Sequence, residues 1–419
     1  MPAAAVTAAL LLAACAEQVP YACPPLAEGV EVVANEGPGA WAEEGLSARV
    51  DDELWRRGGT REDEEIALPT FPGASSTGRL ALPDFRLGEA IVIEPDGTWA
   101  GPWVRSGQGP EEIRSAVAAT WTPDGQLLVL DVVGAKVVRL EGESSVVEVI
   151  SVDPSFTSPL VARGELMWAG LLPDGDALLA RIEPTETEEW ETAAAASILR
   201  LETGAEVPDT VAAVRSPAVT VDQVRGWPVP GWPRPLAATN TRGELVVGAT
   251  DGSYRLLVRD STGEAILQLC RDADPLPLTA AERGEALPAF VGDAGSEEVP
   301  EIYENLRAAI REAEHPETAA PFGRLVLGAG GRIWVQRERP PAYPGSRALM
   351  HGRTGAVHDV FDPDGTYLGE VRMPEGEALQ AVLGDTIWTF GVGELNETWV
   401  RARELRLEPA GPEDREGGG

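Results

Sequence analysis

The sequence is poor in positive charge, in histidine and in thiols, and each shortage removes a class of function. Its 419 residues hold 34 Lys and Arg against 68 Asp and Glu, a formal net charge of −34, and Lys136 is the only lysine. Such an excess of negative charge repels phosphate backbones and anionic surfaces, so nucleic acid is excluded as a partner and the charge is read as solubility outside the cell. The three histidines, His315, His351 and His358, are scattered, and no Cys/His group has zinc spacing. A Gly-x-Ser-x-Gly elbow, a phosphate loop, a His-Glu-x-x-His pair and an EF-hand loop are all missing. No metal, no cofactor and no catalytic residue is therefore expected. Long hydrophobic runs are missing too: residues 3–14 form an apolar run of 12, too short to cross about 30 Å of hydrocarbon at about 1.5 Å per residue.

That run reads as the core of an export signal. It ends in Leu12-Ala13-Ala14-Cys15, the lipobox pattern of bacterial lipoproteins, although no Lys or Arg precedes it. The expected organisation is a signal peptide over 1–14, lipid attachment at Cys15, a lipidated linker over 15–28, a folded body over 29–410 and a disordered tail over 411–419. Acyl chains contribute about 0.8 kcal/mol per buried methylene, enough for a stable anchor. The expected location is the cell envelope, at the outer membrane or facing the periplasm. In that oxidising compartment Cys23 and Cys270 either pair or remain free thiols.

What is abundant is turn chemistry between short apolar runs. Pro-Asp-Gly occurs at 95–97, 123–125, 173–175 and 363–365, where the Asp-Gly pair is expected to supply the positive φ angles of a tight hairpin turn. Strand-length runs follow at 127–131, 177–182, 245–248, 332–336 and 386–390. Each precedes a second turn, so the turns pair as Gly125 with Gly142, Gly175 with Gly204, Gly243 with Gly263, and Gly331 with Gly365. Two hairpins per unit make four strands, and four-stranded units repeated around an axis make an all-β propeller. Counting gives six blades, or seven if residues 45–57 join another sheet. The last unit has only one clear strand after its first hairpin, 400–407, and the missing strand is assigned to Val30–Val33, which would remove the open edge. One short helical insertion is expected at 299–314, stopped by Pro316.

The stretch Arg105-Ser106-Gly107-Gln108-Gly109-Pro110-Glu111-Glu112-Ile113, followed by Trp121 through Asp131, resembles the NHL-like six-bladed β-propeller lipoproteins of bacteria. Their inter-blade segment often reads Gly-x-Gly-Pro-Gly-Glu-Phe before an Asp-Gly turn; here Glu111 replaces the third glycine and Ile113 the aromatic. The segment 271–283, with Pro277 and Thr279, is also similar to such proteins. The resemblance covers roughly 28–408 and implies fold and location more than activity.

In a propeller the A–B and C–D turns share one face, and the B–C and D–A connections share the other. The long connections, 183–196, 212–236, 271–321 and 337–357, are all of the second kind, which marks one face as the place for binding. They carry Trp190, Trp227, Trp232, Arg234, Arg337, Arg339, Tyr343 and His351. Arginines with aromatics suit an anionic, sugar or peptide ligand through bidentate hydrogen bonds and stacking. The competing reading is a stiff Pro-Trp loop packing on its own blade, with the arginines paired to surface Glu. Trp334 and Trp388 are assigned to inter-blade core, and Asp131 to satisfying backbone donors.

The expected function is a lipid-anchored, monomeric binding protein for an envelope protein, peptide or glycan. The alternative is a calcium-dependent lactonase or lyase, which needs carboxylates or Asn converging on the axis. The inner strands expected near 116–122, 167–172, 236–239, 324–327 and 379–383 carry almost none, and Asn240 is the nearest candidate.

Overall fold

The computed structural model describes residues 23–25, 29–59, 64–152, 169–185, 193–202, 208–221, 224–228, 236–249, 252–273, 277, 301–318, 320–337, 355–393 and 397–411. Strand β1 (Glu31–Asn35), helix α1 (Ala40–Glu43) and strand β2 (Leu46–Gly58) come first in the chain. Six sheets follow. Blade 1 contains β3 (Gly73–Ala74), β4 (Leu80–Asp84), β5 (Glu89–Ile93) and β6 (Trp99–Val104). Blade 2 contains β7 (Ala116–Trp121), β8 (Leu127–Asp131), β9 (Lys136–Gly142) and β10 (Ser145–Ser151). Blade 3 adds a fifth strand to the pattern: β11 (Ala169–Leu171), β12 (Ala177–Thr185), β13 (Ala193–Leu201), β14 (Asp209–Val221) and β15 (Val224–Pro228). Blade 4 is β16 (Ala237–Thr239), β17 (Leu245–Gly248), β18 (Arg255–Arg259) and β19 (Ala265–Arg271). After helix α2 (Glu301–Glu312), blade 5 is β20 (Arg324–Leu327), β21 (Ile333–Gln336), β22 (Val357–Phe361) and β23 (Tyr367–Arg372). Blade 6 is β24 (Glu377–Leu383), β25 (Thr386–Val392) and β26 (Thr398–Pro409), completed by β2. The protein is a six-bladed β-propeller.

The hydrophobic core is divided among the seams. Each of six apolar clusters joins two successive blades: Trp103 and Trp121 sit between blades 1 and 2, Leu130 and Leu179 between 2 and 3, Leu178 and Leu245 between 3 and 4. Leu256 and Phe361 fill the seam between 4 and 5, Trp334 and Ile387 that between 5 and 6, and Trp388 and Leu80 close the ring between 6 and 1. A strand clamped between two neighbouring sheets is apolar on both faces, which is why β7 and β8 are buried at every position while the outer β10 is mostly exposed. Trp334 and Trp388 are thus inter-blade core, as their spacing implied.

The closing strand differs from expectation. Residues 31–35 do not complete blade 6; β1 pairs in parallel with β19 on the outside of blade 4. The ring is closed by β2, which runs antiparallel to β26 from Leu46 opposite Pro409 to Gly58 opposite Trp399. The physical reason is length: a 13-residue strand can cover the whole of the 12-residue β26, whereas β1 is only five residues long. Residues 45–57 therefore join blade 6 and do not found a seventh.

The hairpin turns are also of another type. In each Pro-Asp-Gly turn only the glycine has positive φ, 88° at Gly125 and 87° at Gly365, while the Asp stays in the ordinary region. Gly125 N donates to Thr122 O (2.9 Å) and Thr122 N to Gln126 O (2.8 Å), the pattern of a three-residue loop ending in a left-handed glycine. The aspartate contributes its side chain, as where Asp364 Oδ1 accepts from Thr366 N at 2.9 Å.

Before β2, the N-terminal segment runs across three blades. Cys23 is disulfide-bonded to Cys270 of β19, with Cα atoms 6.0 Å apart. Asn35 then bridges a seam, donating from Nδ2 to Cys270 O (3.1 Å) on blade 4 and Gly365 O (3.0 Å) on blade 5, and accepting from Tyr367 N (2.8 Å). Trp41 of α1 packs into the cluster between blades 5 and 6, and the chain enters β2.

Candidate functional site: the axial channel and its loop-rich mouth

The six innermost strands, β3, β7, β11, β16, β20 and β24, surround an axial channel. Small residues set its width: Gly73, Ala118, Ala119, Gly170, Ala238 and Ala381 all line it. A Cβ placed on Gly73 would lie 2.4 Å from Ala119 O, so the wall at the seam between blades 1 and 2 is at backbone contact. The polar lining is Thr120, Thr239, Asn240, Thr241, Gln380 and Arg324. Among the described residues the lining has one charged side chain, and it is a cation.

Arg324 begins β20, so it stands where the inner strand leaves the D–A connection, at the loop-rich mouth of the channel. Its guanidinium crosses to the inner strand of blade 6, donating to Leu379 O at 2.8 Å and to Gln380 Oε1 at 3.0 Å. Removal from water lowers its pKa to about 10, so it remains a full positive charge at neutral pH. Behind it, on β22, His358 is fully enclosed. Burial, and then the charge of Arg324, push its pKa down to about 3, against the pull of its Nδ1 contact with Ala356 O. The imidazole is therefore neutral at ordinary pH.

Asn240 lies in the channel wall, but its amide serves a turn. Its Oδ1 accepts from Arg242 N (3.0 Å) and Glu244 N (3.1 Å), and its Nδ2 donates to Glu244 Oε2 (2.7 Å) and Gly328 O (3.3 Å). The carbonyl oxygen that a hard cation would want is thus already committed to backbone donors. Among the described residues, no group of three or more His, Cys, Asp or Glu is arranged to hold a metal.

The faces separate as loop lengths implied. Every A–B and C–D turn among the described strands is short, while β21 to β22 spans 337–356 and β19 to β20 spans 272–323, both on the opposite face. Two of the long connections contain regular structure instead of loop. Within 183–196, β12 and β13 extend toward each other as a hairpin, and within 212–236 lie most of β14 and all of β15. Trp227 belongs to β15, in register with Val219. Trp190, Trp232, Arg234, Arg339, Tyr343 and His351 lie outside the described residues, as does Cys15. Arg337 is described, and it is engaged. It pairs with Glu370, and its Nε lies 3.8 Å from Asp359 Oδ2. Asp359 itself is fully buried, bonded to Arg271 and accepting from Tyr254 Oη (2.6 Å) and Tyr367 Oη (3.2 Å). Burial raises the Asp359 pKa and the Arg271 charge opposes the rise, as in a structural ion network between blades 4 and 5.

Arg337 occupies a repeat position. Six residues after the turn glycines Gly78 and Gly125 stand Asp84 and Asp131; six after Gly331 stands Arg337. The two aspartates tie inter-blade segments to the strand. Asp131 accepts from Arg114 N, Ser115 N and Gly134 N at 2.8–3.2 Å, and Asp84 from Ala67 N, Leu68 N, Arg86 N and Leu87 N at 2.8–3.0 Å. Asp131 is thus a satisfier of backbone donors, as expected. The Gly107–Ile113 segment before it is fastened by Lys136, whose Nζ donates to Gly109 O (3.1 Å), Pro110 O (2.9 Å) and Glu112 O. Sequence reasoning missed Arg324 and Gln380. The available signal was an arginine at the first position of an assigned inner strand, where the other wall residues are small or neutral.

No protein-family model matches the sequence, and no curated protein matches it. Among solved structures, the chain is similar to a member of the DUF4221 family from Bacteroides vulgatus, at 10% identity and a TM-score of 0.49, over 87% of this chain and 99% of that one. It is also similar to a gluconolactonase from Xanthomonas campestris (12%, TM-score 0.36, 86% and 98%). A third is the calcium-binding protein regucalcin from Agrobacterium tumefaciens (11%, TM-score 0.38, 91% and 98%). Among the described residues, no helix is long and apolar enough to cross a membrane.

Proposed function

We propose that this chain is an extracytoplasmic, lipid-anchored propeller of the NHL-like kind that binds a partner protein, peptide or glycan through its loop-rich face, and that it is not a hydrolase. The observation that carries this reading is the polar make-up of the channel: among the described residues, hydroxyls, amides and one arginine line it, with Asn240 already occupied. A calcium-dependent lactonase needs several oxygen ligands converging on one point, and an arginine at the mouth would repel the cation. The disulfide between Cys23 and Cys270 supports an oxidising compartment, and Cys15 stands eight residues before it, within reach as a tether.

Two experiments test the reading. A tagged full-length chain expressed in a bacterial host should fractionate with membranes, and Cys15→Ser should release it to the soluble fraction. Purified protein should melt at the same temperature with and without millimolar calcium. A calcium-dependent rise of several degrees, accompanied by turnover of a lactone, would replace binding with the enzyme reading.

A further inference from the structure

We propose that strand β10, the outer edge of blade 2, is a docking edge for an extended segment of a partner protein in which aliphatic residues alternate with Lys or Arg. The edge lies on the rim, apart from the loop-rich face, so the inference goes beyond the reading above and does not depend on it.

An outer strand leaves one side of its backbone unpaired, and folds blunt such edges with proline, bulges, charge, shortness or a cover. Blade 1 ends in β6, where Gly101, at a φ of 80°, precedes Pro102. Blade 3 ends in the five-residue β15, with Gly226 and Pro228. In blade 4, β19 is covered by β1, itself only five residues long and bonded through Asn35 into the seam with blade 5. In blade 5, Trp41 of α1 packs over Gly369 of β23. In blade 6, β2 loses register on either side of Glu53, beside Asp51 and Asp52.

Blade 2 is the exception. Its β10 has seven residues, Ser-Val-Val-Glu-Val-Ile-Ser, without proline or glycine. The register with β9 shifts near the turn, but Glu148 to Ser151 run unbroken opposite Arg139 to Lys136, and Val152 N continues to Ala135 O at 2.8 Å. Val147 and Val149 stay 48% and 39% exposed, and among the described residues no strand pairs with the outer side of β10. A partner strand added there would complete the ladder and cover the valines.

Charge selects the occupant. β10 carries Glu148 and no basic residue, and its hairpin adds the exposed Glu141 and Glu143. Glu148 already meets Arg139 of β9 at 3.2 Å. A second copy laid along β10 would set these carboxylates against their own kind, on molecules of net charge −34, and like charges across a ladder are destabilising. Lys or Arg between aliphatic residues meets the same carboxylates with the opposite sign.

The test is fluorescence anisotropy of the purified full-length chain with a labelled peptide of alternating Val and Lys, matched in length to β10. Wild type should bind it about tenfold more tightly than the same peptide N-methylated at alternate amides, a change that removes ladder donors and keeps every charge. Val149→Lys should weaken binding about tenfold at an unchanged melting temperature, because it sets a cation on the edge against the incoming lysines. The same substitution at an exposed valine of blade 6, Val392→Lys, should leave binding within about twofold, since salt screens a charge on another blade. Equal binding of the two peptides, or equal loss in the two variants, would reduce the interaction to general attraction between a cation and an acidic protein and overturn the proposal. A wild-type dimer in sedimentation that Val149→Lys dissociates would assign the edge to a second copy, and overturn it too. None of these outcomes bears on the loop-rich face, whose reading is tested by membrane fractionation and the calcium melt.

Discussion

Cys23 and Cys270 are bonded across 247 positions of sequence, and the bond fastens the segment before β1 to the outermost antiparallel strand of blade 4. Gln268 Nε2 donates to Pro24 O at 3.0 Å and Arg255 to the same carbonyl at 3.0 Å, so the covalent link and the hydrogen bonds hold one short stretch of chain. The bond thereby holds residues 23–25 on the outer flank of blade 4.

Closing so long a loop restricts the unfolded chain strongly. Removal of the bond by Cys23→Ser with Cys270→Ser should cost about 3–5 kcal/mol, read as a lower melting temperature. A reductant should lower the wild-type melt by a similar amount and leave the double variant unmoved. Equal melts for wild type with and without reductant would contradict this.

Acid should weaken the protein in two stages. His358 has a folded pKa near 3, below its ordinary 6.5, so the unfolded chain takes up the proton first. Stability is whole above pH 6.5 and falls by about 1.4 kcal/mol per unit as the pH drops toward 3. Glu377 adds a second stage. Burial acts to raise its pKa, but hydrogen bonds from Arg403 (2.7 Å) and Thr389 (2.6 Å), with Arg401 at 2.7 Å, hold it below the ordinary 4.5. Its contribution is present above pH 4.5 and lost as pH falls through the folded value. Urea midpoints from pH 8 to pH 3 should show the first decline vanish in His358→Gln. Glu377→Gln should lose about 1–3 kcal/mol at neutral pH, because it removes the carboxylate that Arg401 and Arg403 share at the closure of blade 6 and leaves them Glu53 and Asp51 O.

Lys136 fastens the segment between blades 1 and 2 with three carbonyls. Lys136→Met keeps the aliphatic stem and removes the donors, and should destabilise by about 1.5–3 kcal/mol. Proteolysis of the variant should begin within residues 105–113, whereas cleavage that starts elsewhere would show that the lysine is not the fastening.

The belt over blade 5 needs glycine at position 39. There φ is 94°, and a Cβ would lie 2.8 Å from Leu368 O and 2.9 Å from Tyr367 Cε1. Gly39→Ala should cost about 1–3 kcal/mol, while Gly37→Ala, where a Cβ meets nothing within 4 Å, should cost less, although its φ of 79° also disfavours a side chain. Hydrogen exchange over 31–45 should rise in the first variant.

Sequence alone determined the blades, because turn glycines at regular spacing and apolar runs of strand length are local facts. Gly125, Gly243 and Gly331 each announce an inner hairpin, and the inner strand at 324–327 lies where its pattern placed it. The opposition of short turns to long connections was legible for the same reason. What tertiary structure decided is how distant segments meet. Residues 31–35 and 46–58 are both β-forming, and only the unpaired length of β26 selects the second as the closing strand. The pairing of Cys23 with Cys270 depends on β1 lying beside β19. The approach of Arg337 to Asp359 and Glu370 likewise needs β22 and β23 beside the end of β21, which no local pattern shows. The axial channel also belongs to no single blade and exists only because six inner strands close around one axis.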